Sequence, residues 1–198
     1  MELLCNRIVD RMAVYDIVSP EDKPFYSYEL QVILESIIAH AVILVIALVC
    51  GYFIEVLLFT LAFSVLRIHT GGFHCKTNFG CIIMSVMTCL LVVFVCITIV
   101  PYNWIITVLT VAAMVVIYIF GTVNNKNLDL SPEEYTATVK ASRKWLLTAF
   151  VVLVLLRLLS DTSYYISFLE MGFVICASSM ILAKTTEKGG PCYEEDRT

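Results

Sequence analysis

The 198-residue chain carries 13 Lys and Arg against 17 Asp and Glu, a net charge of −4, yet charged residues make up only 15% of it and hydrophobic residues 60%. At 22.3 kDa and a mean hydropathy of +0.88 it has too little interior to hide its apolar side chains from water, which excludes ordinary soluble folds. The excess faces lipid, and no nucleic-acid partner is expected. In chain order, Leu4, Ile8, Met12 and Tyr15 recur at helical spacing opposite Arg7, Asp10 and Arg11, so residues 1–28 read as a cytoplasmic amphipathic segment. Its helix either lies on the inner membrane surface or packs on the protein's own cytoplasmic face. Charges recur throughout it and no apolar core precedes Leu30, so no cleavable signal is expected. Ser19-Pro20-Glu21-Asp22 places a hydroxyl at an N-cap, proline at the first helical position and a carboxylate at the third, the signature of a helix start.

Residues 29–66 suit two spans, broken at Cys50-Gly51-Tyr52. A polar turn follows at 67–78. From residue 77 to residue 125 there is no Asp, Glu, Lys or Arg, and a gap of that length holds two more spans, at 79–100 and 104–122, with Pro101-Tyr102-Asn103 as the turn. Residues 123–144 form an Asn-rich cytoplasmic loop and a second helix start, Ser131-Pro132-Glu133-Glu134. Shorter apolar runs within 145–184 make spans five and six, leaving 185–198 as a tail. The expected fold is therefore all-α: a polytopic integral membrane protein of about six transmembrane helices in one membrane domain, with an N-terminal amphipathic helix.

On that topology every Lys and Arg except Arg157 falls on one side of the bilayer, which places both termini and the 67–78 turn in the cytoplasm of a multi-pass cell-membrane protein. Of the ionisable groups inside spans, Arg157 is expected to pair with Glu170 or Glu55, and His40 to be a neutral, hydrogen-bonded core residue. The eight cysteines lie in spans or on the reducing side, so a disulfide framework is not expected, and Cys89, Cys96 and Cys176 read as small apolar helix residues.

The 67–78 turn and the residues just after it concentrate the chemistry: Arg67, His69, Gly71, Gly72, His74, Cys75, Lys76, Asn78 and Cys81. A thiolate is the reactive form of cysteine, and a nearby imidazole with Arg67 or Lys76 lowers a thiol pKa. On an unbroken helix His74 and Cys81 would stand about 10 Å apart along the axis, so the backbone must bend between them, at Thr77-Asn78 or Gly80. Cys81 would then stand at or near a helix N-terminus, where partial positive charge favours a thiolate and an oxyanion. Cys75 is the competing nucleophile. Adjacent to His74, it points a different way from its neighbour in most backbone conformations. The rival chemistry takes His69, His74, Cys75 and Cys81 as metal ligands, although their spacing matches no common zinc pattern. A small transporter is the other alternative.

Arg67, the Gly71-Gly72-Phe73-His74 run and Cys81 seven residues beyond His74 resemble the accessory gene regulator B (AgrB) family, membrane cysteine endopeptidases of bacterial quorum sensing. The resemblance covers nearly the whole chain. Cys75 stands where the family commonly has alanine, and Lys126-Asn127 where it has Lys-Pro. The resemblance implies that Cys81 is the nucleophile and His74 its base, and that Arg67 and Gly72 occupy positions that matter. It implies an AgrD-like propeptide as substrate, cut on its C-terminal side and closed to a thiolactone. It also implies a homodimer in the lipid bilayer, and no cofactor or metal is called for. Gly72 would permit a backbone angle that a side chain forbids.

Overall fold

The structure is a computed structural model that describes residues 2–73, 78–99, 103–123, 131–159 and 163–186. These fold into seven helices and no strand: α1 (Glu2–Val14), α2 (Lys23–Cys50), α3 (Phe53–Thr70), α4 (Asn78–Ile99), α5 (Asn103–Phe120), α6 (Pro132–Leu159) and α7 (Ser163–Thr186). By length and apolar composition α2 and α3, together with 80–98 of α4 and 164–186 of α7, can each cross a membrane, while the apolar part of α5, Trp104–Phe120, is shorter. The outward faces of these helices and of α6 carry exposed Val45, Val49, Met87, Phe94, Ile119 and Leu155, a surface that only lipid solvates well.

α7 is the hub. It packs chiefly on α3 and α5, and Phe173, Cys176, Ala177 and Met180 join Leu66, Met114, Ile117, Leu146 and Leu153 in the largest buried cluster. A second cluster ties Phe168 and Met171 to Phe59, Val92, Cys96 and Ile106. α2 is more peripheral, meeting α3 and α4 through Ile43, Ala47, Val56 and Cys89. Cys89, Cys96 and Cys176 are thus packed interior residues, and none of the described cysteines is in a disulfide.

The break between α2 and α3 falls at Gly51, as its sequence indicates. Gly51 adopts φ 81°, and the N–H groups of Gly51 and Tyr52 reach back to the Leu48 and Ala47 carbonyls, a Schellman C-cap. Ser131 caps α6 as expected: its hydroxyl accepts from the Glu134 N–H (3.3 Å), while the Glu134 carboxylate accepts from the Ser131 N–H (3.0 Å) and hydroxyl (2.8 Å). The other start signal behaves differently. Ser19 and Asp22 form the same kind of ring (2.7 and 3.3 Å), but they close a turn, and α2 begins only at Lys23. Pro24 explains the shift. In a helix starting at Pro20 it would lie four residues inside, without an N–H and with its ring against the Pro20 carbonyl; in the first turn of α2 neither costs anything.

α1 buries Cys5 and Val9 against α2, held by Lys23 Nζ to Asp10 (2.9 Å) and by Ser27 to Asn6. Its expected apolar face is turned the other way: Leu4, Ile8 and Tyr15 are exposed, alongside Leu3 and Val14. The helix therefore packs on the protein through one stripe and presents a second apolar stripe outward.

Inside the bundle Arg157 meets Glu170 in a two-pronged pair, Nη2 to Oε2 at 2.7 Å and Nε to Oε1 at 3.1 Å, with Thr107 bridging both. Glu170 is 2% exposed. His40 is likewise satisfied: Nδ1 faces the Ser36 carbonyl at 2.6 Å and Nε2 the Ser64 hydroxyl at 2.7 Å. In the neutral ring these partners require the proton on Nδ1 and Ser64 as donor.

Two expectations follow. Arg157→Met leaves a carboxylate buried without its partner and should cost about 3–5 kcal/mol, whereas adding Glu170→Met should recover much of the loss; thermal unfolding in detergent reads both. Hydrogen bonds from the Ser131 N–H and hydroxyl hold the Glu134 carboxyl below the usual carboxylate range. Its folded pKa is thus depressed, so its contribution to the α6 start is present above the unfolded carboxyl pKa and lost as pH falls through the folded one. Amide protection at Tyr135 and Thr136 should fall on acidification through that window, and Glu134→Gln should remove the dependence.

Candidate functional site

α3 continues past its apolar run to Thr70, so Arg67 and His69 are helical residues rather than part of the turn. The chain leaves the helix through Gly71 (φ 66°, ψ −152°) and Gly72 (φ 146°), conformations that side-chain-bearing residues rarely adopt. The three described residues of the turn, Gly71, Gly72 and Phe73, lie between the segment that follows α5 and the body of α7. Val123, beyond the end of α5, donates its N–H to the Thr70 carbonyl (2.9 Å), and the Phe73 N–H meets both the hydroxyl (3.1 Å) and the carbonyl (3.3 Å) of Ser179 on α7. Arg67 completes the knot, with Nη1 donating to Ser179 Oγ (2.9 Å) and Nη2 to the Phe73 carbonyl, while its guanidinium lies over the Phe63 ring.

The expected need for glycine at 72 has a direct cause. A Cβ there would lie 2.7 Å from Ser179 Oγ and 3.0 Å from Arg67 Nη1, inside the contact that forms the knot. At Gly71 it would meet the Val123 carbonyl at 3.0 Å.

Cys81 sits in the first turn of α4, the helix end that favours a thiolate and a developing oxyanion. The helix has already begun at Asn78, so Asn78 and Gly80, two of the expected bend positions, lie inside it. Cys81 lines a cavity of about 270 Å³ between α2, α3, α4 and α7. Arg67, Phe73 and Ser179 line the same cavity, as do Glu35 and His40 of α2. The structure thus brings together Arg67, Gly72 and Cys81 of the expected set. His74, Cys75 and Lys76 lie outside the described residues, as do the side chain of Asn78, the tail and the Lys126 loop. His69 does not share this cavity; it stacks on Trp145 of α6 at 5.4 Å between ring centroids. Among the described residues no three His, Cys, Asp or Glu side chains could hold a metal ion.

Ser179 is the participant that sequence reading misses. The paired hydroxyls Ser178-Ser179 in an apolar span were its only signal, and nothing local says which of them faces the turn.

A family model described as Accessory gene regulator B matches residues 5–184 of the chain. No curated protein and no solved structure matches it.

Gly72→Ala should lose about 1–3 kcal/mol from backbone strain and the Ser179 clash. In a Ser179→Gly background, where the hydroxyl and its hydrogen bonds are already gone, the same substitution at Gly72 should cost less, by the part due to the clash. Thermal unfolding of both single variants and the double variant beside wild type gives the comparison.

Proposed function

This chain belongs to the accessory gene regulator B family, and on that premise we propose that it is a membrane-embedded cysteine endopeptidase that processes an AgrD-like quorum-sensing propeptide. Cys81 is the nucleophile and His74 the base. The observation that carries the reading is the position of Cys81, in the first turn of α4 and on the wall of a cavity that it shares with Arg67, Phe73 and Ser179.

The thiolate of Cys81 attacks the scissile carbonyl, and the tetrahedral oxyanion forms beside the positive end of α4. The C–N bond then breaks, His74 gives its proton to the leaving amine, and the N-terminal part of the substrate stays on Cys81 as a thioester. A cysteine thiolate within that fragment attacks the same carbonyl. One C–S bond forms as the other breaks, so Cys81 is returned as thiolate and the peptide leaves as a thiolactone. Exchanging thioester for thioester needs little driving force beyond positioning. Arg67 acts through the turn: two of its N–H groups brace Phe73 and Ser179, which sets the backbone immediately before His74.

The six apolar segments cross the bilayer in alternation, with the termini and the turn in the cytoplasm, and the protein works as a homodimer. The one-sided distribution of Lys and Arg supports that orientation.

Co-expression with a candidate propeptide, followed by mass spectrometry, tests the assignment. Cys81→Ala should abolish cleavage and His74→Ala should lower it by about 10²–10⁴-fold. Full cleavage by Cys81→Ala would overturn the nucleophile.

A further inference from the structure

Below Cys81 the cavity is more than a niche around the thiol. Its α4 wall runs through Cys81, Met84, Ser85, Thr88 and Leu91, a length of about 15 Å at 1.5 Å per residue. Ile43 of α2, Phe59 of α3 and Ile175 of α7 line it farther from the turn. Glu35, Arg67, Cys81 and Ser179 are among its polar lining residues. The space of about 270 Å³ is a partly open cleft, with Met84, Leu91 and Leu182 of its lining exposed at its rim. It is also smaller than the ~300–1,000 Å³ typical of drug-sized ligand sites, and so suits one or two side chains rather than a folded peptide.

The lining also says what the occupant brings. The hydroxyl protons of Ser85, Thr60 and Ser178 are donated to the carbonyls of Cys81, Val56 and Val174 on their own helices (each 2.8 Å). What their oxygens offer the cavity is lone pairs. With the Glu35 carboxylate added, the lining is rich in acceptors, and two N–H groups of its one arginine are engaged by Ser179 and Phe73. Acceptors suit peptide N–H groups. The apolar floor suits a bulky hydrocarbon side chain.

We propose that this cavity is the acyl-side specificity pocket, seating a large apolar side chain, aromatic or branched aliphatic, from the substrate residue whose carbonyl Cys81 attacks. The inference rests on the nucleophile assigned above and adds a substrate preference to it. The acyl half is the half that needs a seat, because it stays on Cys81 until the second thiol arrives, whereas the leaving half departs into water. Holding its side chain between α2 and α4 keeps the thioester carbonyl at the first turn of α4 during that interval.

The test uses full-length protein in lipid nanodiscs and acetyl-X-chloromethyl ketones with X as Phe, Leu, Ala or Asp. These alkylate the thiol with loss of chloride and carry the side chain next to the attacked ketone. The readout is the rate of labelling at Cys81 by peptide mass mapping, normalised to iodoacetamide, which has no side chain to seat. Phe and Leu should label Cys81 about tenfold or more faster than Ala, and Asp slowest. Ala39→Phe and, more gently, Thr88→Leu fill the cavity from α2 and α4; either should narrow or reverse the Phe-over-Ala ratio. Equal rates for all four reagents in wild type, or a ratio unchanged in both variants, would overturn the pocket. A side-chain preference at Cys81 in a protein that cleaves no propeptide would support the pocket while overturning the endopeptidase reading.

Discussion

The close approach of α3 to α7 sets the geometry on which everything else depends. Gly172 of α7 has room for no side chain: a Cβ there would lie 2.8 Å from the Ala62 Cβ and 3.0 Å from the Phe63 backbone nitrogen. In lipid there is no hydrophobic drive to bring helices together, so packing at small residues and interhelical hydrogen bonds must do it. Along the same seam lie the Thr70 hydroxyl and Cys176 sulfur (3.3 Å) and, one turn further, the Arg67 contact with Ser179. The seam that makes the bundle cohere is the one that holds the turn before Cys81.

The polar groups divide by what surrounds them. In the bundle interior Arg157, Glu170 and Thr107 satisfy one another, and His40 is taken up by Ser36 and Ser64. Near the turn the same residue types are used to hold irregular backbone, which a membrane protein tolerates only where protein groups satisfy it. Gly71 and Gly72 make that irregular path available, and Ser179 and Val123 accept or supply the hydrogen bonds that it exposes. A cavity left between the more loosely packed α2 and the α3–α7 seam then opens directly at Cys81.

At the other end of the chain, α1 shows how one short helix can answer two demands. Cys5 and Val9 secure it to α2, and Leu4, Ile8 and Tyr15 remain available to the membrane surface. Spacing located the helix and its outer apolar stripe. The buried stripe was harder to see because it consists of a small thiol and a valine among charged neighbours.

Much of the architecture is written in one dimension. The excess of apolar residues names the solvent, the charge-free stretches and the Gly51 break count the helices, the Ser131 box starts α6, and the polar Thr77-Asn78 ahead of an apolar run puts the Cys81 thiol near a helix start. These are local properties, and local physics decides them. Which face of each span looks inward is a different matter. A helix that is apolar all round carries no periodicity to say so, and α7 is such a helix although it forms the hub of the bundle. Ser179 is 112 residues from Arg67 and 106 from Phe73. Their meeting, the cause of the glycine at 72 and the cavity under Cys81 exist only once α3 and α7 are packed, and the choice of Glu170 over Glu55 as the partner of Arg157 only once α6 lies against α7, because each depends on contacts between segments that no local pattern records.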